Sequence, residues 1–111
     1  MTDRSIRESD VERYLVKRVE HHKGTAEKFT SPQRSNVPDR IVCWPEDWSY
    51  DCEPCPASAC FVECKAPGKK PTTAQARDHE RRRAMGFRVY VVDTFAAVDS
   101  FIKAEGFDDA L

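Results

Sequence analysis

Between residues 5 and 22, Val11, Leu15, Val19 and His22 fall at three- and four-residue steps, with Tyr14 alongside. Charged residues fill the intervening positions, and the period predicts an amphipathic helix. Ser5 and Glu8 stand in capping-box register at its start, and Gly24 marks its end. "AEKFT" (26–30) alternates over a length suited to a strand, and "SPQRSNVPD" (31–39) has the Pro, Ser and Asn content of a loop. "RIVCW" (40–44) is a second strand halted by Pro45, and "CFVECK" (60–65) is a third, closed by Ala-Pro-Gly. A polar, Pro-rich connection over 45–59 joins these two as a long hairpin insertion. Thr72 to Met85 reads as a helix, with Thr72 and Gln75 in capping-box register. "FRVYVVD" (87–93) is a near-continuous apolar run, which predicts a strand buried on both faces. "FAAVDSFIKAEG" (95–106) closes with a helix that stops at Gly106.

The order α-β-β-β-α-β-α combines an antiparallel meander with a β-α-β step. It predicts an α/β (α+β) fold with a mixed central sheet flanked by helices. At 111 residues the chain is expected to form one domain, 1–111, with a single modest core. No run of about 18 apolar residues is present, so no membrane partner is expected. The charged start "MTDRSIRESD" lacks the apolar stretch of a secretory signal. Five cysteines, an odd number, then read as thiols or metal ligands rather than a disulfide framework, and the expected compartment is the cytoplasm.

One segment breaks the binary pattern. Side chains alternate along a strand, so Glu63 and Lys65 share one face of 60–65 while Val62 and Cys64 take the other. Two charges on a helix-covered sheet cost several kcal/mol unless they are paired or bind something. Asp39, after a rigid Pro38, stands at the mouth of the preceding strand. If 40–44 and 60–65 pair, it lies near Glu63 and Lys65 at one end of the sheet. Neighbouring carboxylates repel, and a hard divalent cation resolves this by taking oxygen ligands from both. A lysine beside them can orient or deprotonate a water, or offset charge on a phosphate. An ion pair across an exposed sheet face is the structural alternative.

"VPDR" (37–40) followed by "FVECKAPGKKPTTAQ" (61–75) resembles the PD-(D/E)xK nuclease superfamily, and within it the stand-alone virus-type replication-repair nuclease (VRR-NUC) domain. The similarity runs from about Glu8 to Asp93, through Lys28-Phe29 and "GFRVYVVD", in the superfamily's αβββαβ element order. The resemblance implies a restriction-endonuclease-like core and hydrolysis of a DNA phosphodiester that leaves the phosphate on the 5′ side. It implies Asp39, Glu63 and the Cys64 backbone carbonyl as ligands of Mg²⁺ or Mn²⁺, and Lys65 as the catalytic lysine. Gln75 would support the site or contact the scissile phosphate, and Glu8 would reach it directly or through water. Small stand-alone members resemble homodimeric resolvases of four-way (Holliday) junctions. A flap or nicking endonuclease of phage or bacterial replication and repair, and a non-catalytic binder of branched DNA, are the alternatives. The chain departs from the family where a glycine pair becomes Lys23-Gly24, and where a glycine before "VPD" becomes Asn36, a residue that tolerates left-handed backbone.

Net charge is −1, but 65–83 gathers Lys65, Lys69, Lys70, Arg77, Arg81, Arg82 and Arg83 against Asp78 and Glu80. Lys69 and Lys70, beside the expected site, are candidate DNA contacts. Arg77 and Arg81, with Arg82 and Arg83, form either a track for the phosphate backbone or a solvated helix face. Gln75 and Glu8 could each serve as capping residues alone. Cys43, Cys52, Cys55 and Cys60 could gather into a structural Zn²⁺ site at the hairpin tip, or remain free thiols, since only Cys52-x-x-Cys55 has knuckle spacing. His21, His22 and His79 read as ordinary surface or core histidines.

Overall fold

The computed structural model describes residues 6–46 and 56–107. Its elements are α1 (Glu8–His21), β1 (Thr25–Lys28), β2 (Arg40–Trp44), β3 (Ser58–Cys64), α2 (Thr73–Ala84), β4 (Val89–Val92) and α3 (Phe95–Ala104). The strands lie in the order β1-β2-β3-β4. β1 and β2 pair antiparallel, as do β2 and β3, whereas β3 and β4 run parallel with α2 as the crossover. This is the expected mixed sheet flanked by helices.

The sheet has two chemically different faces. On one, the Val11–Leu15–Val19 stripe of α1 and Val98, Phe101 and Ile102 of α3 close over Val42, Cys60, Val62, Cys64 and Val92. These residues are at most 2% exposed and form the apolar core. α2 covers the opposite face, and its buried residues are Asp78, His79 and Arg82. The Arg82 guanidinium lies 4.7 Å from the Phe61 ring centre and 5.3 Å from that of Phe29, while Nε donates to Asp78 at 2.7 Å. Arg82 is therefore a packing residue here, paired and stacked, and not part of an outward phosphate track.

Three local expectations change. The first helix begins at Glu8 with Arg7 as its N-cap, and the Arg7 N–H donates to Asp10 at 2.8 Å. Only half a box forms, the Asp10 carboxylate accepting the Arg7 N–H, because an arginine side chain has no acceptor to return the bond; Ser5, of the expected Ser5–Glu8 box, lies outside the described residues. At the other end, Lys23 takes the left-handed turn (φ 69°). Gly24 serves space instead, because a Cβ there would stand 2.6 Å from the Trp44 ring. The third change concerns β4, which is an edge strand with Val91 36% exposed, not a strand buried on both faces. Its apolar run reflects one face on the α3 core and the other only partly covered by α2. Most of the 45–59 connection lies outside the described residues, and β3 begins at Ser58.

The far end of the core is tied by one acid. Glu105, just past α3, has a side chain 2% exposed and accepts from Trp44 Nε1 (2.9 Å), Tyr90 Oη (2.6 Å) and both Arg88 Nε and Nη2 (2.8 Å each). Burial alone would raise its pKa, but these donors hold it below the ordinary carboxylate value. Glu105→Ala removes the acceptor of four donors on three side chains and is expected to cost about 3–5 kcal/mol in urea unfolding. Because the folded-state pKa is depressed, this contribution is present above the unfolded value of 4.5 and is lost as pH falls below it. A variant within about 0.5 kcal/mol of wild type at neutral pH would show that the cluster carries no such weight.

Candidate active site

Pairing fixes the site. Arg40 stands opposite Val62 at the end of the β2–β3 ladder, so Asp39 falls one step further, beside Glu63 on the α2 face. Its approach is set by a fully buried Pro38 and by Asn36 in the left-handed region (φ 63°), as the glycine-to-asparagine exchange allows. The Phe29 N–H donates to the Asp39 carbonyl at 2.8 Å. The Cys64 N–H donates to Asp39 Oδ2 at 2.7 Å, which aims the carboxylate across the end of β3. Beyond β3, the Lys65 N–H continues the parallel ladder to the Val92 carbonyl at 2.9 Å.

Lys65 Nζ donates to Gln75 Oε1 at 2.8 Å and lies 3.6 Å from Glu63 Oε2. The same Gln75 oxygen accepts the Thr72 N–H (2.9 Å), and the Gln75 N–H donates to Thr72 Oγ1 (3.1 Å). One oxygen thus both caps α2 and holds the Lys65 ammonium. Glu8, at the first turn of α1, has its pKa raised by burial and by the Asp39 charge, with Lys65 opposing, so its carboxylate lies within the field of the same cluster.

Glu63 is the most constrained group. It is 2% exposed, and its Oε1 has no hydrogen-bond partner among the described residues. Burial first and then the Asp39 charge push its pKa up to about 7, against a smaller downward pull from Lys65. His79, also 2% exposed, places Nε2 3.5 Å from that orphaned oxygen and has no hydrogen bond of its own there. Burial, then the Arg83 charge, lowers its pKa and keeps the imidazole neutral. His79 reads from sequence as an ordinary histidine; it is a core one, but it faces the site. The missed signal is its four-residue step from Gln75, which puts both on one face of α2.

The remaining candidates divide. Lys69 and Lys70 are exposed after the Gly68 turn (φ +81°), and Arg77 is exposed on α2. Arg81 is half-buried and donates to Asp78 at 3.1 Å. Cys43 stands opposite Ala59 and Cys60 opposite Val42, so the two thiols point to opposite faces of the sheet. They cannot both ligate one ion, which removes the four-cysteine zinc site; Cys52 and Cys55 lie outside the described residues. Burial, and then the Glu105 charge, push the Cys60 thiol up to about 12.

The described residues contain no group of three or more His, Cys, Asp or Glu side chains arranged as a metal cage. Two carboxylates with an unsatisfied buried oxygen have the chemistry a hard divalent cation would need, with water and substrate oxygens completing its shell. This arrangement has a consequence for the metal-free protein. A folded-state pKa above the ordinary 4.5 means the folded form holds the proton more tightly. Stability from Glu63 is then full below 4.5 and lost as pH rises through about 7. In chelator, Glu63→Gln is expected to gain on wild type in melting temperature between about pH 5 and pH 8. Parallel pH profiles for the two proteins would contradict it.

No protein-family model matches the chain. A solved structure described as "VRR_NUC domain" matches with a TM-score of 0.73 and 34% sequence identity, covering 86% of this chain and 94% of that one. A protein of Acyrthosiphon pisum secondary endosymbiont phage 1, named "Putative nuclease p44", is 45% identical over 91 residues, 82% of this chain and 87% of the relative. With Asp39, Glu63 and Lys65 converging at the end of a sheet of this topology, the chain belongs to the VRR-NUC family of nucleases.

Proposed function

We propose that this nuclease is a metal-dependent, structure-specific DNA endonuclease, which resolves four-way junctions as a homodimer in the cytoplasm of a bacterial or phage-infected cell. The observation that carries the metal-dependent part is the buried Glu63 carboxylate, with one oxygen unpartnered beside Asp39. Asp39, Glu63 and the Cys64 carbonyl would hold Mg²⁺ or Mn²⁺. When bound, the ion polarises the phosphoryl oxygen and lowers the pKa of the attacking water. An ammonium has three donors. Lys65 uses one on Gln75 and directs another toward Glu63, leaving a third for the water or a phosphate oxygen. Gln75 positions that lysine, and Glu8 adds a carboxylate at the rim. Lys69, Lys70, Arg77 and Arg81 would meet backbone phosphates, which hold the DNA without reading its sequence. A twofold dimer suits junction resolution, because one site per chain cuts one strand and symmetric resolution needs two.

End-labelled four-way junction, 5′ flap and linear duplex, each incubated with Mg²⁺, Mn²⁺ or EDTA, test this reading. Paired symmetric cuts on the junction are expected, abolished by EDTA and reduced about 100-fold or more in Lys65→Ala. Cutting mainly on flap or duplex would assign the flap or nicking activity. Binding to the junction without any metal-dependent cut would leave a DNA-binding module.

A further inference from the structure

A cleft of about 400 Å³ opens between the β1–β2 connection and α2, lined by Gln33, Arg34 and Asn36 on one side and Arg77, Asp78 and Arg81 on the other. It adjoins the active site on both walls. The loop that forms it runs from Asn36 directly into Pro38 and Asp39, and Gln75 stands between the cleft residues Ala74 and Arg77.

Its electrostatics select an anion. Asp78, its side chain 5% exposed, is already bound on its inner side by Arg82 Nε at 2.7 Å. Burial would raise its pKa, but Arg82 and then Arg81 hold it below the ordinary value, so it stays ionised and committed. Its other oxygen steers two guanidinium groups from opposite walls: Arg81 Nη2 at 3.1 Å and Arg34 Nε at 3.9 Å, the latter beyond hydrogen-bond reach. Arg81 Nε is buried and has no hydrogen-bond partner among the described residues. Arg34 is 54% exposed and Arg77 is exposed, so both keep donors for a ligand. Three guanidinium groups thus face the cleft against one carboxylate that a fourth has neutralised. Guanidinium forks match phosphate oxygens, and the Gln33 and Asn36 amides add neutral donors at the rim.

We infer that this cleft is a second phosphate subsite, which grips one backbone phosphate of the bound strand beside the scissile group, with Arg34 of the loop and Arg77 and Arg81 of α2 closing on it together. Arg34 is then a DNA-binding residue supplied by the segment that also delivers Asp39. The inference rests on the nuclease reading of the active site.

Methylphosphonate substitution, which removes the charge of one phosphate, tests it when walked along a fluorescent junction strand in EDTA. Affinities are compared for wild type, Arg34→Ala and Arg77→Ala, with unchanged melting temperatures as the folding check. At one position the substitution is expected to weaken wild type about tenfold and each variant no more than about twofold, because variant and substitution remove the same contact. Arg34→Ala binding as wild type does, or losses equal in wild type and variants at every position, would overturn the subsite and leave the nuclease reading intact. Wild type that binds no DNA in EDTA or in Ca²⁺ would remove both.

Discussion

The carboxylate of Glu63 governs how this protein is built. A charge carried into a sheet must be met by polar groups from whatever covers it, because the interior offers no water. The helix that covers it, α2, is accordingly buried through Asp78, His79 and Arg82 rather than through aliphatic side chains. Apolar cohesion is left to the other face, where α1 and α3 supply the whole stripe against Val42, Val62 and Val92. The molecule thus divides its labour by face: one side of the sheet holds the fold, and the other holds the chemistry. Even there the polar groups do not balance, since Glu63 Oε1 and His79 Nε2 face each other without a hydrogen bond. An unsatisfied pair of this kind destabilises the metal-free fold, and an ion drawn to the oxygen would relieve it.

Much of this was legible in the sequence because alternation carries register. Once β2 and β3 pair as a hairpin, Asp39 must neighbour Glu63, and the strand parity that buries Cys60, Val62 and Cys64 turns Glu63 toward α2. Asn36 was legible for a different reason, since its amide side chain tolerates the left-handed backbone that leads into Pro38. The residues that escaped are those whose role depends on a partner distant in the chain. Arg82 belongs to an apparently solvated run of arginines until Phe29 and Phe61 are placed beneath it. Glu105 looks like a helix-end acid, and its four hydrogen bonds come from residues 15 to 61 positions away. β4 was misjudged because an apolar run records hydrophobicity but not which strand stands last in the sheet.

The arginines of α2 also separate by direction in a way that charge counting hides. Arg82 turns inward, and Arg83 is occupied by Glu80 and by the Val89 carbonyl. Arg77 and Arg81 remain on the side facing the β1–β2 connection. A basic stretch that reads as one surface is therefore three environments within two turns of helix.

Gln75 shows how narrow the choice at a single position can become. Its Oε1 accepts from the Thr72 N–H and from Lys65 Nζ at once, so the start of α2 and the placement of the lysine share one atom. Glutamate would cap the helix equally well, but its full charge would compete with Glu63 for the ammonium and bring a third acid toward Asp39. Asparagine keeps the neutral amide and lacks the methylene that spans the gap. Alanine would loosen the first turn and free the lysine together. Side-chain length, neutrality and acceptor character are all fixed here by two unrelated demands, and among the twenty residues glutamine meets them all.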